Sequence, residues 1–248
     1  MKIRKKKHLE MVLEKIPRHP NPKVELEQYS TPSSIASDII WNAYTLGDIM
    51  DLTVLDLGCG TGIFAIASWI MGSSHSLGID IDRESIEEAM KTTNDLIGLN
   101  QLSHIDESNL NFIVGDINQY NSIYDLLNDS HIQTNENYGG IINFNHSNSA
   151  FKFDTLFQNP PFGSQERGMR HADRKFMEFA LSSAELIYSF HMKSSRDFVV
   201  DYYTDLGGEV SHEFQYKFPI PKIYDFHKSE SRDVEVVVLR VENFNGEQ

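Results

Sequence analysis

Short apolar runs alternate along the chain of 248 residues with longer stretches in which apolar positions recur at helical spacing. Apolar runs between turn residues predict buried strands, and helical spacing predicts amphipathic helices. The predicted strands are residues 53–57, 76–79, 111–114, 153–158, 186–190, 209–217 and 234–241. The predicted helices are residues 2–16, 33–44, 63–71, 84–97, 172–184 and 195–206.

The order of these elements predicts an α/β fold. Repeated strand–helix units imply a parallel sheet with helices on both faces. The last two strands follow each other without a helix between them, which implies an antiparallel edge strand. We therefore expect a seven-stranded, mostly parallel sheet. Ser33 or Ser34 is expected to cap the second helix.

One segment, residues 118–150, breaks the alternation because it is rich in Asn and Ser. We interpret it as a surface insertion with one short helix at residues 123–127, since a structureless loop of this length inside a core would be unusual. Residues 1–248 are expected to form a single domain, with residues 1–46 as an N-terminal helical extension and lid.

Composition narrows the class of protein. Hydrophobic residues make up 40% of the chain, and no apolar run approaches the roughly 20 residues of a membrane span. The single cysteine, Cys59, predicts neither an internal disulfide nor a cysteine metal cluster, and no metal site is expected. The basic N-terminus lacks the apolar run of a signal peptide, so we expect a cytoplasmic protein.

The net charge of −14 argues against sequence-blind nucleic-acid binding by the whole surface. Two local clusters of basic residues remain as candidate contacts for RNA, although each alone is more typical of a solvated face. These clusters are Lys2 to Lys7 and the set Arg167, Arg170, Arg174 and Lys175.

A glycine-rich loop, Asp56-Leu57-Gly58-Cys59-Gly60-Thr61-Gly62, joins the first sheet strand to the next helix. Its glycines allow a tight turn and close approach of a ligand to the backbone. Dinucleotide-binding folds use similar loops, but their fingerprint has a different glycine spacing. The carboxylate of Asp56 suits a ligand with a positive amino or sulfonium group and would sit badly near a pyrophosphate.

Two further acids follow the next two strands. Asp80 can accept hydrogen bonds from both hydroxyls of a ribose, and Asp116, with the Ile117 backbone, can bind an adenine amino group. Each acid alone is more typical of a turn or a helix cap. Three acids at successive strand ends behind the glycine loop predict S-adenosylmethionine as cofactor.

The tetrapeptide Asn159-Pro160-Pro161-Phe162 directly follows the strand predicted at residues 153–158. The two prolines fix two φ angles and remove two N–H donors, which makes the turn rigid. The Asn159 side-chain oxygen and the Pro160 carbonyl remain as acceptors beside the flat ring of Phe162. This arrangement suits a planar –NH2 group on a stacked ring or an amide.

The cofactor loop and the Asn-Pro-Pro-Phe turn resemble those of class I (Rossmann-like) methyltransferases that modify amino groups. Within that class the chain resembles the methyltransferase-like 5 family, which methylates N6 of an adenosine in small-subunit ribosomal RNA. The similarity runs through Leu26-Glu27-Gln28-Tyr29-Ser30-Thr31-Pro32, Asp56 to Gly60, Gly78-Ile79-Asp80-Ile81-Asp82, Asn159 to Gly163, Tyr188-Ser189-Phe190-His191, Lys193-Ser194-Ser195, Tyr224-Asp225-Phe226-His227-Lys228 and Val234-Glu235-Val236.

The resemblance also implies which residues touch the ligands. The expected cofactor contacts are Gln28, Thr31, Gly58, Thr61, Ile63, Asp80, Asp116 and Ile117, beside Asp56 and Gly60 of the loop. Phe226, His227 and Lys228 would lie near the RNA or the target base. Eukaryotic members of the family need a small zinc-binding activator subunit. The segment 118–150 departs from the family, in which this span is shorter.

Two other functions stay open at this point. A protein glutamine N-methyltransferase would present the same planar –NH2 group to the Asn-Pro-Pro-Phe turn. A non-catalytic scaffold would keep the fold, although the intact acids and Asn159 argue against it. A DNA adenine methyltransferase fits less well, because the chain leaves no room for a separate target-recognition domain. His191, at a strand end, is expected to be structural.

Overall fold

The computed structural model describes residues 3–23, 26–98, 106–129, 132, 151–161, 172–221 and 231–244. Seven strands form one sheet: β1 Thr53–Leu57, β2 His75–Asp80, β3 Leu110–Val114, β4 Phe153–Gln158, β5 Ala184–Met192, β6 Gly208–Pro221 and β7 Ser231–Asn243. The described α-helices are α1 Lys6–Leu13, α2 Ser33–Leu46, α3 Ile63–Ile70, α4 Arg83–Gly98, α5 Ile123–Leu127, α6 Ala172–Ser183 and α7 Arg196–Asp205.

The strands are arranged in the order β3-β2-β1-β4-β5-β7-β6. The first five of these are parallel to one another, and β7 runs antiparallel to both β5 and β6. The predicted fold class is confirmed. The one reversed strand, β7, lies one place in from the edge, and β6 occupies the edge itself.

Helices cover both faces of the sheet, as the alternating pattern predicts. Apolar side chains of α1, α2, α3 and α4 pack in one buried cluster, and those of α5, α6 and α7 pack in a second. Strand β7 contributes to both clusters, because Val236 and Val238 face the first while Val237 and Leu239 face the second. Burial on two faces explains why the inner strands have largely apolar sequences, whereas the edge strand β6 is mostly exposed and carries many polar residues.

Two local predictions differ from the structure at element ends. Helix α2 begins at Ser33, and its N-cap residue is Pro32, which makes no side-chain capping bond. The expected serine cap is therefore wrong. The preceding helix spans eight residues, Lys6–Leu13, and is shorter than the predicted residues 2–16, of which residue 2 lies outside the described residues.

Part of the predicted insertion can be compared with the structure. The short helix expected at residues 123–127 is present as α5, and Ser122 caps it by accepting a hydrogen bond from the Asp125 backbone N–H. Most of residues 130–150 lie outside the described residues. In the described part of the chain, no helix is long and apolar enough to span a bilayer.

Candidate active site

A cavity of about 860 Å³ opens where strands β1 to β4 end. Its walls come from the loops after these strands, from the N-terminal segment around residues 13–33 and from the start of α6. All ten predicted cofactor residues line it: Gln28, Thr31, Asp56, Gly58, Gly60, Thr61, Ile63, Asp80, Asp116 and Ile117. Ligands bind at this edge in open α/β sheets.

The predicted catalytic turn reaches the same cavity. Asn159 and Pro161 line it, and Pro160 is buried between them. Phe162 lies outside the described residues, as do the predicted substrate contacts Phe226, His227 and Lys228. The structure thus brings the cofactor residues and the start of the Asn-Pro-Pro-Phe turn together around one space.

The glycine loop has two positions with contrasting surroundings. Gly62 has a φ of +85°, and a Cβ atom there would lie 2.7 Å from the ring of Phe112. Gly60 has a φ of +53°, and a Cβ atom there would meet nothing within 4 Å. Gly62 is therefore required by protein packing, whereas Gly60 leaves open space through which a ligand can approach the backbone.

Asp56 sits at the end of β1 and is 1% exposed. Its Oδ2 accepts hydrogen bonds from the backbone N–H groups of Phe64 and Ala65, at 3.1 and 2.9 Å, in the first turn of α3. Burial raises the pKa of the Asp56 carboxyl to about 7, against the opposing effect of these two donors. The acid lines the cavity while also holding the start of α3.

Asp80 makes two backbone contacts that shape the loop. Its Oδ2 accepts from the Gly60 N–H at 2.8 Å, and its Oδ1 accepts from the Asp82 N–H at 2.8 Å. Burial raises the pKa of Asp80 despite these donors. Asp116 caps a short turn by accepting from the Asn118 N–H at 3.0 Å. Both acids combine turn contacts with a place in the cavity wall.

The N-terminal segment is fastened across the cavity mainly by Asp82, which sequence reasoning did not single out. Its buried carboxylate meets His19 Nε2 at 2.9 Å, Lys23 Nζ at 2.7 Å and Gln28 Nε2 at 2.7 Å. Burial alone would raise the pKa of Asp82, but these hydrogen bonds outweigh it and lower the pKa. A second fastening joins Thr61 Oγ1 to the Pro17 carbonyl at 2.9 Å.

Gln28, a predicted cofactor contact, uses its side chain inside this segment. Its Oε1 accepts from the Lys23 backbone N–H at 2.7 Å, while its Nε2 donates to Asp82. The side-chain amide therefore shapes the wall of the cavity. The one sequence signal for Asp82 was its place in the motif Gly78 to Asp82, two residues after Asp80.

The Asn159 amide is held on its donor side. Nδ2 donates to Thr31 Oγ1 at 3.1 Å, and the buried Oδ1 has no hydrogen-bond partner among the described residues. A buried acceptor without a partner is costly, so its presence here suggests a ligand donor. The site thus offers an oriented acceptor at the end of β4.

Behind Asn159, a buried polar network supports the turn. Gln158 Nε2 donates to Ser189 Oγ at 2.8 Å and to Tyr203 Oη at 3.2 Å, and Ser189 Oγ lies 2.6 Å from His191 Nε2. Burial lowers the pKa of His191 to about 3. The ring is therefore neutral at physiological pH and serves as a structural partner of Ser189, as expected from its position at a strand end.

Three of the described basic residues from the two clusters contact other residues of the protein. Lys6 Nζ pairs with Asp38 at 2.5 Å, and Lys175 Nζ donates to the Tyr120 carbonyl at 2.9 Å. The guanidinium carbon of Arg174 lies over the Phe198 ring, 5.3 Å from its centroid. Arg167 and Arg170 lie outside the described residues.

The sheet order, the glycine loop and the acids at successive strand ends define a class I methyltransferase that uses S-adenosylmethionine. Residues 50–214 match the family model described as a methyltransferase domain. The chain belongs to this family, and its resemblance to the methyltransferase-like 5 group is confirmed.

Similar proteins match over nearly the whole chain. An uncharacterized protein of Methanocaldococcus jannaschii is 36% identical over 98% of this chain and 96% of its own length. A Danio rerio protein named rRNA N(6)-adenosine-methyltransferase METTL5 is 27% identical over 95% and 98% of the two chains. Among solved structures, a candidate RNA methyltransferase from Pyrococcus horikoshii matches with a TM-score of 0.74 and 27% identity, covering 97% of this chain and 98% of that one.

Proposed function

We propose that this methyltransferase transfers a methyl group to N6 of an adenosine in ribosomal RNA, most specifically in the small subunit. The observation that carries the proposal is the Asn159 side chain. Its amide donates to Thr31 and leaves a buried acceptor, Oδ1, facing no protein donor among the described residues. A substrate that brings an N–H group, such as the exocyclic amine of adenine, satisfies this atom.

The chemistry needs acceptors more than it needs a base. The lone pair of the exocyclic amine is delocalised into the ring, which makes the amine a poor nucleophile. Asn159 Oδ1 and the Pro160 carbonyl, as acceptors for its two hydrogens, favour a more pyramidal nitrogen and stabilise the positive charge that it gains. S-adenosylmethionine, when bound, would supply the methyl group as its S–CH3 bond breaks, and S-adenosylhomocysteine would leave while the methylated nitrogen loses one proton to water. In-line positioning of the amine and the methyl group would also raise the rate.

The base must leave its stack to reach this turn. Flipping costs least for an unpaired base, so we expect the target in a loop or an accessible single strand. Phe162 is the proposed stacking surface for the flipped base, and Phe226, His227 and Lys228 are proposed contacts for the RNA. An aromatic residue beside a His and a Lys can stack on one base and reach a phosphate.

The relatives support RNA as the substrate class. Three curated proteins named rRNA N(6)-adenosine-methyltransferases, from Danio rerio, Drosophila melanogaster and Caenorhabditis elegans, share 24 to 29% identity with the chain. The resemblance to the family further suggests a small zinc-binding activator as partner and a cytoplasmic location. The acidic net charge of −14 fits a subunit that shares RNA binding with a partner.

The residues of the cavity wall also suit S-adenosylmethionine. Asp56 would face its amino group, Asp80 its ribose and Asp116 its adenine, and all three acids line the cavity. The open space above Gly60 would admit the ligand close to the backbone. A donor-rich, positively charged ligand therefore suits the residues that are present.

The deciding experiment incubates the protein, with and without the activator, with small and large ribosomal subunits and radiolabelled cofactor. The RNA is then digested to nucleosides. We expect N6-methyladenosine from the small subunit. Label in protein would instead support the glutamine N-methyltransferase, and a chain that binds no S-adenosylmethionine in calorimetry would be a scaffold.

Asn159→Ala tests the catalytic assignment in the same assay. Loss of a group that stabilises transition-state charge typically lowers kcat about 100-fold or more. Asn121→Ala serves as a matched control, because Asn121 is exposed and does not line the cavity. Unchanged methyl transfer by Asn159→Ala would remove the proposed role of the turn.

A further inference from the structure

Thr31 and Asn159 are separated by 128 residues, yet their side chains form a hydrogen bond of 3.1 Å at the cavity wall. Thr31 is 7% exposed and stands two residues before the first residue of α2. The resemblance to the family assigned Thr31 to the cofactor alone. Its contact with the catalytic turn suggests a second task.

An asparagine amide has one acceptor edge and one donor edge of nearly the same shape. Rotation by half a turn about the last side-chain bond exchanges them. With Oδ1 toward the substrate, the amide accepts from an amine. With Nδ2 toward the substrate, it confronts the amine with another donor and gives no stabilisation. Catalysis by Asn159 therefore depends on which edge is held by the protein.

We propose that Thr31 is the positioning residue that holds the Asn159 amide with Oδ1 toward the substrate amine. Thr31 Oγ1 accepts the hydrogen bond from Nδ2 and so engages the donor edge. A hydroxyl can also donate, so the Thr31 bond fixes the place of the amide, and the substrate amine, which needs an acceptor, favours this edge. The opposite edge, Oδ1, is then left buried and without a partner among the described residues. This inference rests on the proposed amine methylation.

The surroundings of Thr31 are rigid enough for this task. On its C-terminal side, the Pro32 carbonyl accepts from the backbone N–H groups of Ile35 and Ala36, which fixes the start of α2. On its N-terminal side, Gln28 donates a hydrogen bond to Asp82, which lies two residues after the end of β2. These hydrogen bonds hold the chain on both sides of Thr31, which contacts Asn159 at the end of β4.

The test compares Thr31→Val, which keeps the branched shape and removes the hydroxyl, with Thr31→Ser, which keeps the hydroxyl. At saturating cofactor and RNA, we expect Thr31→Val to lower kcat about 10-fold or more, since a misoriented group costs rate and not binding. Thr31→Ser should restore most of kcat. Cofactor affinity, measured by calorimetry, should fall by a smaller factor than kcat in Thr31→Val, since Thr31 also lines the cofactor cavity.

A double-mutant cycle with Asn159→Ala separates an indirect effect from a direct one. If Thr31 acts through Asn159, Thr31→Val should add less than about twofold to the loss caused by Asn159→Ala. An undiminished effect of Thr31→Val in that background would overturn the inference, as would a weakened cofactor affinity with unchanged kcat. Should Thr31→Val not fold, Thr31→Ala takes its place in the cycle.

The activities of the two single variants distinguish a failure of the proposed function from a failure of the proposed role of Thr31. Full activity of Asn159→Ala would refute the amine-binding role of the turn, whatever Thr31 does. An inactive Asn159→Ala together with a fully active Thr31→Val would leave the function standing and refute the positioning role alone. Melting temperatures of all variants check that lost activity does not come from unfolding.

Discussion

Affinity for S-adenosylmethionine is expected to rise as the pH increases from about 5 to 7, through the ionisation of Asp56. Burial raises the pKa of this carboxyl to about 7 in the cofactor-free protein. The proposed ligand of Asp56 is the positive amino group of the cofactor, which favours the carboxylate and lowers its pKa. Binding below pH 7 must therefore release a proton, and it weakens as the pH falls.

The size of the effect follows from linkage. Each pH unit below the raised pKa weakens binding about tenfold, as long as the pKa in the complex stays lower than the pH. Between pH 7 and pH 5 the apparent Kd should increase about 50-fold. At pH 6 about one proton should be released for each cofactor bound. An α-amino group keeps its charge over this range, because its ordinary pKa is about 7.7–8.0.

Calorimetric titration in two buffers with different ionisation heats measures both the Kd and the proton count. Asp56→Asn should remove the dependence of the Kd on pH, while the asparagine oxygen can still accept hydrogen bonds from the backbone N–H groups in the first turn of α3. A second control is 5′-methylthioadenosine, which keeps the adenine and the ribose and lacks the amino acid part. The Kd of 5′-methylthioadenosine should not change with pH through the ionisation of Asp56.

Two results would refute the reasoning. A Kd independent of pH would mean that Asp56 does not face the amino group or is already ionised. An equal slope for 5′-methylthioadenosine would assign the titration to another carboxyl. Asp80 is then the first candidate, since burial also raises its pKa and its expected partner is the ribose.

Two further predictions concern the walls of the cavity. Asp82→Ala removes the shared hydrogen-bond partner of three side chains of the N-terminal segment, so the cofactor should dissociate about 10-fold faster in a stopped-flow experiment. The control variant Glu87→Ala, at an exposed position, should leave the dissociation rate unchanged. Equal rates for the two variants would show that the segment does not gate the cavity. Gly62→Ala places a Cβ 2.7 Å from Phe112 at a φ of +85°, so urea unfolding should show a loss of about 2–4 kcal/mol. Gly60→Ala, without that clash, should lose about 1–2 kcal/mol, and an equal loss in both would contradict the packing argument.

Most of the sheet was predictable from the sequence because strands β1 to β5 and β7 are largely buried and the turns carry glycine and proline. The predicted strand at residues 153–158 agrees with β4 at both ends. Strand β6 was predicted as residues 209–217 and extends to Pro221. The extension contains Pro219 and Pro221, and an edge strand tolerates prolines because one of its sides has no partner strand in the described sheet.

The sequence predicted the site residues that lie near strand ends, but it did not predict the contacts between segments far apart in the chain. Asp56 and Asp80 lie at the carboxyl ends of β1 and β2, and Asp116 lies two residues after β3, so their positions come from the chain order and the parallel sheet. The contacts of the N-terminal segment were not predictable in this way. Asp82 meets His19 across 63 residues, and no periodic pattern marks a hydrogen bond between a loop and a strand end so far apart.

The two strands that pair with β1 affect how the chain folds during its synthesis on the ribosome. On one side β1 pairs with β2, where Thr53 lies opposite His75, and both are synthesised early. On the other side it pairs with β4, where Leu55 lies opposite Leu156. For about a hundred residues of synthesis the growing chain therefore exposes an open apolar strand edge, which is the kind of surface that favours misassembly. We expect nascent chains that stop before β4 to depend on chaperones, and complete chains to be released from that dependence.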